Sequence, residues 1–159
     1  MEEKSAKESE STISRVMMPT DANLAGNVFG GTILKMIDEI AGIVATKHSR
    51  RNAVTASIEH MDFLYPVHIG NLVLLKARLN FVGKSSMEVG VEVYSEDFFS
   101  GDVNFTARAL VTLVAVDRDD KPVEVPGLKL ETDEDKKLFL EGQQRYNDRK
   151  KRLQEMKGK

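Results

Sequence analysis

Residues 31–47 read GTILKMIDEIAGIVATK, apolar on nearly every side for four turns and interrupted only by Lys35, the pair Asp38 and Glu39, and Lys47. That pattern predicts a helix that the protein buries. After Arg50, Arg51 and Asn52 the hydrophobic period changes from helical to two. Val73, Leu75, Ala77, Leu79 and Phe81 alternate with Lys76, Arg78 and Asn80, and Met87, Val89, Val91 and Val93 alternate with Ser86, Glu88, Gly90 and Glu92. Each run is a strand with one buried face. Between them, Gly83-Lys84-Ser85-Ser86 forms a hairpin turn. Further strands are expected at 53–63 and 104–116, with a first strand before Pro19. Strand, helix and then closely linked strands predict an α+β fold, in which a long central helix crosses an antiparallel sheet of five to six strands. Thr132-Asp133-Glu134-Asp135 starts a C-terminal helix with a capping box. The apolar stripe of that helix (Phe139, Gly142, Tyr146, Leu153, Met156) is thin, so its later turns are expected to fray or to rest on a neighbouring subunit.

The chain has 159 residues, 23 Lys plus Arg, 25 Asp plus Glu, three His and no Cys. This length suits one domain. A net charge of −2 gives no bulk attraction to nucleic acid or to an anionic membrane, and neither is an expected partner. The absence of cysteine excludes disulfides, thiolate nucleophiles, iron–sulfur clusters and cysteine-based zinc sites. Charge density divides the chain into a flexible N-terminal segment (1–10), a compact body (11–128) and a charged C-terminal helix or tail (129–159). No apolar run is long enough for a membrane span, and MEEKSAKESE is too acidic for a secretion signal, so a cytoplasmic location is expected.

Several familiar sites can be set aside. Gly83-Lys84-Ser85 matches the end of a phosphate-binding P-loop, but Arg78 stands where that motif requires Gly, and the segment joins two strands. The nucleophile elbow G-x-S-x-G is absent. His60 and Asp62 could share a strand face, yet His48 and His68 lie on separate segments and H-E-x-x-H is missing. His60 therefore reads as a hydrogen-bonded strand histidine, and no metal site is expected.

Asp38 is harder to explain as structure. It sits among Met36, Ile37, Ile40, Ala41 and Ile43, where an unpaired carboxylate costs several kcal/mol unless donors compensate. Either it lies at an edge and pairs with Lys35 or a neighbour, or it is a general base. The run that leads into the helix, DANLAGNVFGG (21–31), holds two side-chain amides and three glycines. Paired glycines at a helix start let a ligand approach free N–H groups, where the helix dipole favours developing negative charge. Gly31 and Asp38 are about 10 Å apart along one helix at 1.5 Å per residue. An antiparallel copy of the helix from a second subunit would bring each Asp38 close to the other's start, which favours a twofold dimer with composite sites.

With these residues in view, the chain resembles the hotdog-fold acyl-CoA thioesterases, in the cytosolic acyl-CoA hydrolase group of brain acyl-CoA hydrolase and its YciA-like bacterial relatives. The resemblance runs from about Arg15 to Tyr146. It is carried by MPTDANLAGNVFGGTILKMIDEIAGIVATKH, VTASIEHMDFLYPVHIGN, VGKSSMEV and VPGLKLETDEDKKLFLEGQQRY. It implies a hotdog fold and hydrolysis of fatty acyl-CoA to free acid and CoA. In the tandem members one domain supplies an Asn and the other an Asp, matched here by Asn27 and Asp38. Asp38 is implied to activate water, or less readily to attack directly, with Gly31 amides polarising the carbonyl and Asn27 orienting water or thioester. Phe29 departs from the His often found before the glycine pair. Lys84, Ser85 and Ser86 form the turn suited to CoA phosphates, and Met36, Ile40, Phe63 and Leu64 are candidates for lining the acyl site. The resemblance further implies no cofactor, coenzyme A being part of substrate and product, and a homodimer assembled as a trimer of dimers. A non-catalytic acyl-CoA sensor and a hotdog enoyl-thioester hydratase are the alternatives. A sensor would call for a DNA-binding segment that this sequence lacks, and a hydratase for a His in the loop or helix.

Overall fold

A computed structural model of the chain describes residues 1–158. Five antiparallel strands form one sheet in the order β2-β4-β5-β6-β3, where β2 is Ser11–Val16, β3 Asn52–Phe63, β4 Leu72–Val82, β5 Ser86–Glu96 and β6 Val103–Val116. Helix α1 (Gly30–Ser49) lies across one face and contacts all five strands. Its buried residues Ile33, Met36, Ile37, Ile40, Ala41, Val44 and Ala45 meet the period-two rows at Val73–Leu79, Met87–Val93 and Ala107–Ala115 in a single core. The helix is not buried all round, however. Leu34 and Ile43 are exposed along its outer stripe and Asp38 is half-buried. Arg50, in the left-handed conformation (φ 56°), ends α1.

Strand β4 departs from strict alternation near its end. The β4–β5 register shifts between Leu79 and Phe81, so Asn80 is an extra residue and Phe81 turns to the opposite face of the sheet. There it stacks under helix α2 (Asp133–Lys157), with ring centroids 4.9 Å from Phe139 and 5.5 Å from Tyr146. The capping box at Thr132 and Asp135 is present. Gly142 lets α2 approach closely, because a Cβ there would stand 2.5 Å from that of Phe81.

The chain ends are built into the body, against the expectation of solvated segments. Strand β1 (Lys4–Ser5) pairs in parallel with β7 (Leu128–Lys129), and Ala6 and Ser9 are buried. The later turns of α2 ride on the chain's own sheet. Asp135 pairs with Arg78 on β4, Arg145 with Glu88 on β5, Arg149 donates to Thr112 on β6, and Arg152 pairs with Glu59 on β3. Only Leu153 and Met156 of the expected stripe face water.

Candidate active site

The loop that leads into α1 is folded by its own amides. Asp21 accepts the Met18 N–H at 2.8 Å and pairs with Arg15 at 3.2 Å. The Met18 N–H, with help from Arg15, holds its carboxyl below the usual range. The Asp21 carbonyl takes the Phe29 N–H at 2.7 Å. Asn23 donates its backbone N–H to the Asn27 carbonyl at 2.7 Å, while its side-chain oxygen accepts from Ala25 N at 2.9 Å and Asn27 N at 3.1 Å. Gly26 closes this turn at φ +86°, which favours glycine. The Asn23 oxygen is therefore occupied from within the loop, and its NH2 group donates to no other described residue. Asn27 is held differently, its side-chain oxygen lying 3.1 Å from His68 Nδ1.

A groove of about 330 Å³ opens beside the helix start, lined by Asn23, Asn27, Gly30, Ile33, Phe63 and Tyr65 among others. Of the acyl-site candidates, Phe63 and Leu64 line it, whereas Met36 and Ile40 belong to the core. The Phe29 ring folds over the Cα of Gly31, leaving no room for a side chain there unless the ring moves. His68 is a contributor that sequence reading missed, since it arrives on a separate segment and only the Asn27–His68 bridge brings it in.

Asp38 does not line this groove. It stands two turns further on, about 12 Å from Gly30 by helical rise. Its carboxylate accepts a 2.6 Å hydrogen bond from the Thr55 hydroxyl on β3, not from Lys35. Thr55 is exposed on an edge strand, so this acid and its donor sit where the sheet ends. Sequence reading found Asp38 but not Thr55, whose role depends on where β3 lands. His60, exposed at a β3 irregularity with φ 53°, makes no side-chain hydrogen bond among the described residues, and Asp62 faces Arg108 at 3.6 Å.

Lys84, Ser85 and Ser86 lie at the same end of the sheet as Thr55. Ser86 pairs with Val114, and Val114 with Val54, so the turn is two strands from Asp38's partner, about 10 Å at ordinary strand spacing. Lys84 is exposed. In one chain, then, Asn27 and the helix start occupy one place, Asp38 and Thr55 a second, and the Lys84 turn a third.

Known proteins share this arrangement of elements. The Thioesterase superfamily profile matches residues 25–97. An acyl-CoA thioester hydrolase of Bacillus subtilis is 40% identical over 92% of this chain and 85% of its own. The chain belongs to the thioesterase superfamily. The cytosolic acyl coenzyme A thioester hydrolase of Rattus norvegicus is 36% identical over 87% of this chain, which spans only 37% of that longer protein. Among solved structures, an apo-hexameric acyl-CoA thioesterase superposes with a TM-score of 0.90 at 36% identity, covering 96% of this chain and 98% of its own. The acyl-CoA hydrolase of Staphylococcus aureus, in complex with butyryl coenzyme A and coenzyme A, gives 0.87 at 39% identity, covering 98% and 94%. The fold is thus the hotdog thioesterase fold, and the chain is an acyl-CoA thioester hydrolase.

Proposed function

We propose that this hydrolase cleaves fatty acyl-CoA at a site made by two copies of the chain, with Asp38 of one copy facing the helix start of the other. The observation that carries the reading is the separation of Asp38 from the groove at Gly30, together with its place on an exposed edge. A twelve-residue edge strand whose outer side is unpaired invites a second copy. Leu34 and Ile43 on α1 and Val54 on β3 are exposed apolar residues of the same two elements, surface that a partner would cover.

In the reaction, Asp38 takes a proton from water as the water oxygen bonds to the thioester carbonyl carbon. The oxyanion gathers charge beside the N–H groups at Gly30 and Gly31, which belong to the first turn and lie at the positive end of the helix dipole. Collapse breaks the C–S bond, and the CoA sulfur takes the proton back from Asp38, leaving free acid and CoA. The Thr55 hydroxyl aims the carboxylate. No cofactor enters these steps.

The amide that meets water or thioester is Asn23 in this reading, with Asn27 as its brace. Both amides line the groove with their side-chain oxygens engaged within the chain, that of Asn23 by the Ala25 and Asn27 N–H groups and that of Asn27 by His68. Spacing favours Asn23. Alanine variants of the Staphylococcus aureus enzyme have been solved at an asparagine, at an aspartate fifteen positions later and at a threonine seventeen positions beyond that. Asn23, Asp38 and Thr55 stand at those intervals here. Lys84, Ser85 and Ser86 receive CoA phosphate.

The hexameric relative supports a trimer of dimers. The cytosolic name of the rat relative supports a cytoplasmic location, and no helix among the described residues is long and apolar enough to cross a membrane. Thiol release from a series of acyl-CoAs of increasing chain length tests the reading. Turnover that varies with chain length is expected, and the absence of release from every member would overturn it.

A further inference from the structure

The stretch VPGLKLETDEDKKLFLEGQQRY, Val125 to Tyr146, is as much a part of the family resemblance as the catalytic helix, yet none of its residues enters the chemistry above. Its two ends meet at one place. The Val125 N–H donates to the Lys84 carbonyl at 2.8 Å, and Val125 is buried. At the other end, the Tyr146 ring packs on Gly83, where a Cβ would stand 3.5 Å from its Cε2. The turn's remaining carbonyls are also taken, Ser85 by Ala115 N at 2.9 Å and Ser86 by Gly83 N at 2.8 Å. The intervening chain is anchored independently, by Thr132 capping α2, by the Asp135–Arg78 pair and by Gly142 against Phe81.

We infer that residues 125–146 form the seat of the Lys84–Ser86 turn, and that Tyr146 is a positioning residue for recognition of the CoA phosphates. This rests on the assignment of CoA phosphate to that turn. A four-residue hairpin tip carrying an exposed lysine is ordinarily mobile, and holding its backbone from both sides lowers the entropy lost when the tip meets an anion. Phe81 makes the Tyr146 contact possible. The bulge at Asn80 sends Phe81 to the α2 face, and its ring carries Tyr146 across to Gly83. The seat acts on binding of the phosphorylated part of the substrate and not on water activation.

The test compares butyryl-CoA with butyryl-pantetheine, which carries the same thioester without the nucleotide and its phosphates, for wild type, Lys84→Ala, Tyr146→Ala, Tyr146→Phe and Gly83→Ala. Tyr146→Ala should raise KM for butyryl-CoA by about fivefold to tenfold, the worth of about one ordinary hydrogen bond, with kcat little changed. Tyr146→Phe keeps the ring and should restore KM. Gly83→Ala, which adds a Cβ 2.7 Å from Ser86 Oγ, should raise KM in the same sense. Neither Tyr146→Ala nor Tyr146→Phe should alter kcat/KM for butyryl-pantetheine, a readout that a general loss of folded enzyme would move. If Lys84→Ala raises KM for butyryl-CoA while Tyr146→Ala and Gly83→Ala do not, the seat is wrong and the turn assignment stands. If Lys84→Ala leaves KM unchanged, the turn assignment fails and the seat with it. Equal losses on both substrates would also overturn the inference.

Discussion

A carboxylate in the middle of an apolar helix needs a compensating donor, and for Asp38 that donor is Thr55 at 2.6 Å. Replacing Asp38 by Ala should lower kcat by roughly 10² to 10⁴-fold, the usual worth of a general base, with folding intact. Steady-state turnover of butyryl-CoA checks this, and near-normal kcat would remove Asp38 from the mechanism. Thr55→Val keeps the shape but deletes the hydroxyl, and should lower kcat by about tenfold or more, as expected for losing a hydrogen bond to a charged group. Thr55→Ser should recover most of that loss, and equal activity in all three proteins would show that the hydroxyl does not matter. Asp38 was legible in the sequence because its neighbours along the chain are enough to make it anomalous. Thr55 was not, since its importance comes from the register of β3 against α1. For Asn23 and Asn27 the residue type could be read but the proposed division of labour could not, because both amides stand at the groove with engaged oxygens and only the intervals to Asp38 and Thr55 separate them.

Elements hold these residues in place through contacts at both ends of α1 and along α2. At the C-terminal end of α1, His48 is fully buried, its Nε2 lies 2.7 Å from the Pro126 carbonyl, and the Lys4 amine caps its backbone carbonyl at 2.8 Å. Burial, above all, pushes its pKa below the ordinary 6.5. The folded chain thus binds fewer protons than the unfolded chain between the two values. Stability from this group is complete above about pH 6.5 and is lost as pH falls through the folded-state value. The thermal midpoint of wild type should accordingly drop between neutral pH and about pH 5 by more than that of His48→Gln. Parallel pH dependence in the two proteins would count against it. On the other face, Gly142→Ala should destabilise by about 1–3 kcal/mol, the cost of overpacking, measured by denaturant unfolding. Unchanged stability would mean that α2 shifts freely over Phe81. The main strands and both helices could be read from period and capping, as the Val73–Leu79 row and Thr132 show. The bulge at Asn80 could not, because the residue itself fits the polar side of the alternation and only pairing with β5 reveals the extra position. The two-residue strands β1 and β7 are too short to carry a period, so the ends read as solvated while the structure pairs them.

At the scale of the whole molecule, the proposed site needs two chains. No Asp or Glu is among the residues that line the groove at Asn23 and Gly30, and Asp38 stands outside it, held by Thr55. In the proposed dimer a twofold axis relating two chains along β3 would join each to the other, giving two sites per pair. The net charge of −2 supplies no general attraction for anionic CoA, which is why the proposal assigns recognition to placed groups such as Lys84. The most direct test of shared sites is to mix Asn23→Ala subunits with Asp38→Ala subunits under conditions of exchange and to measure thiol release. Random pairing puts half of the dimers in mixed form, each with one intact site of two, so activity should return to about one quarter of wild type. If the mixture stays at the level of the separate variants although exchange is complete, each site lies within one chain and the account is wrong.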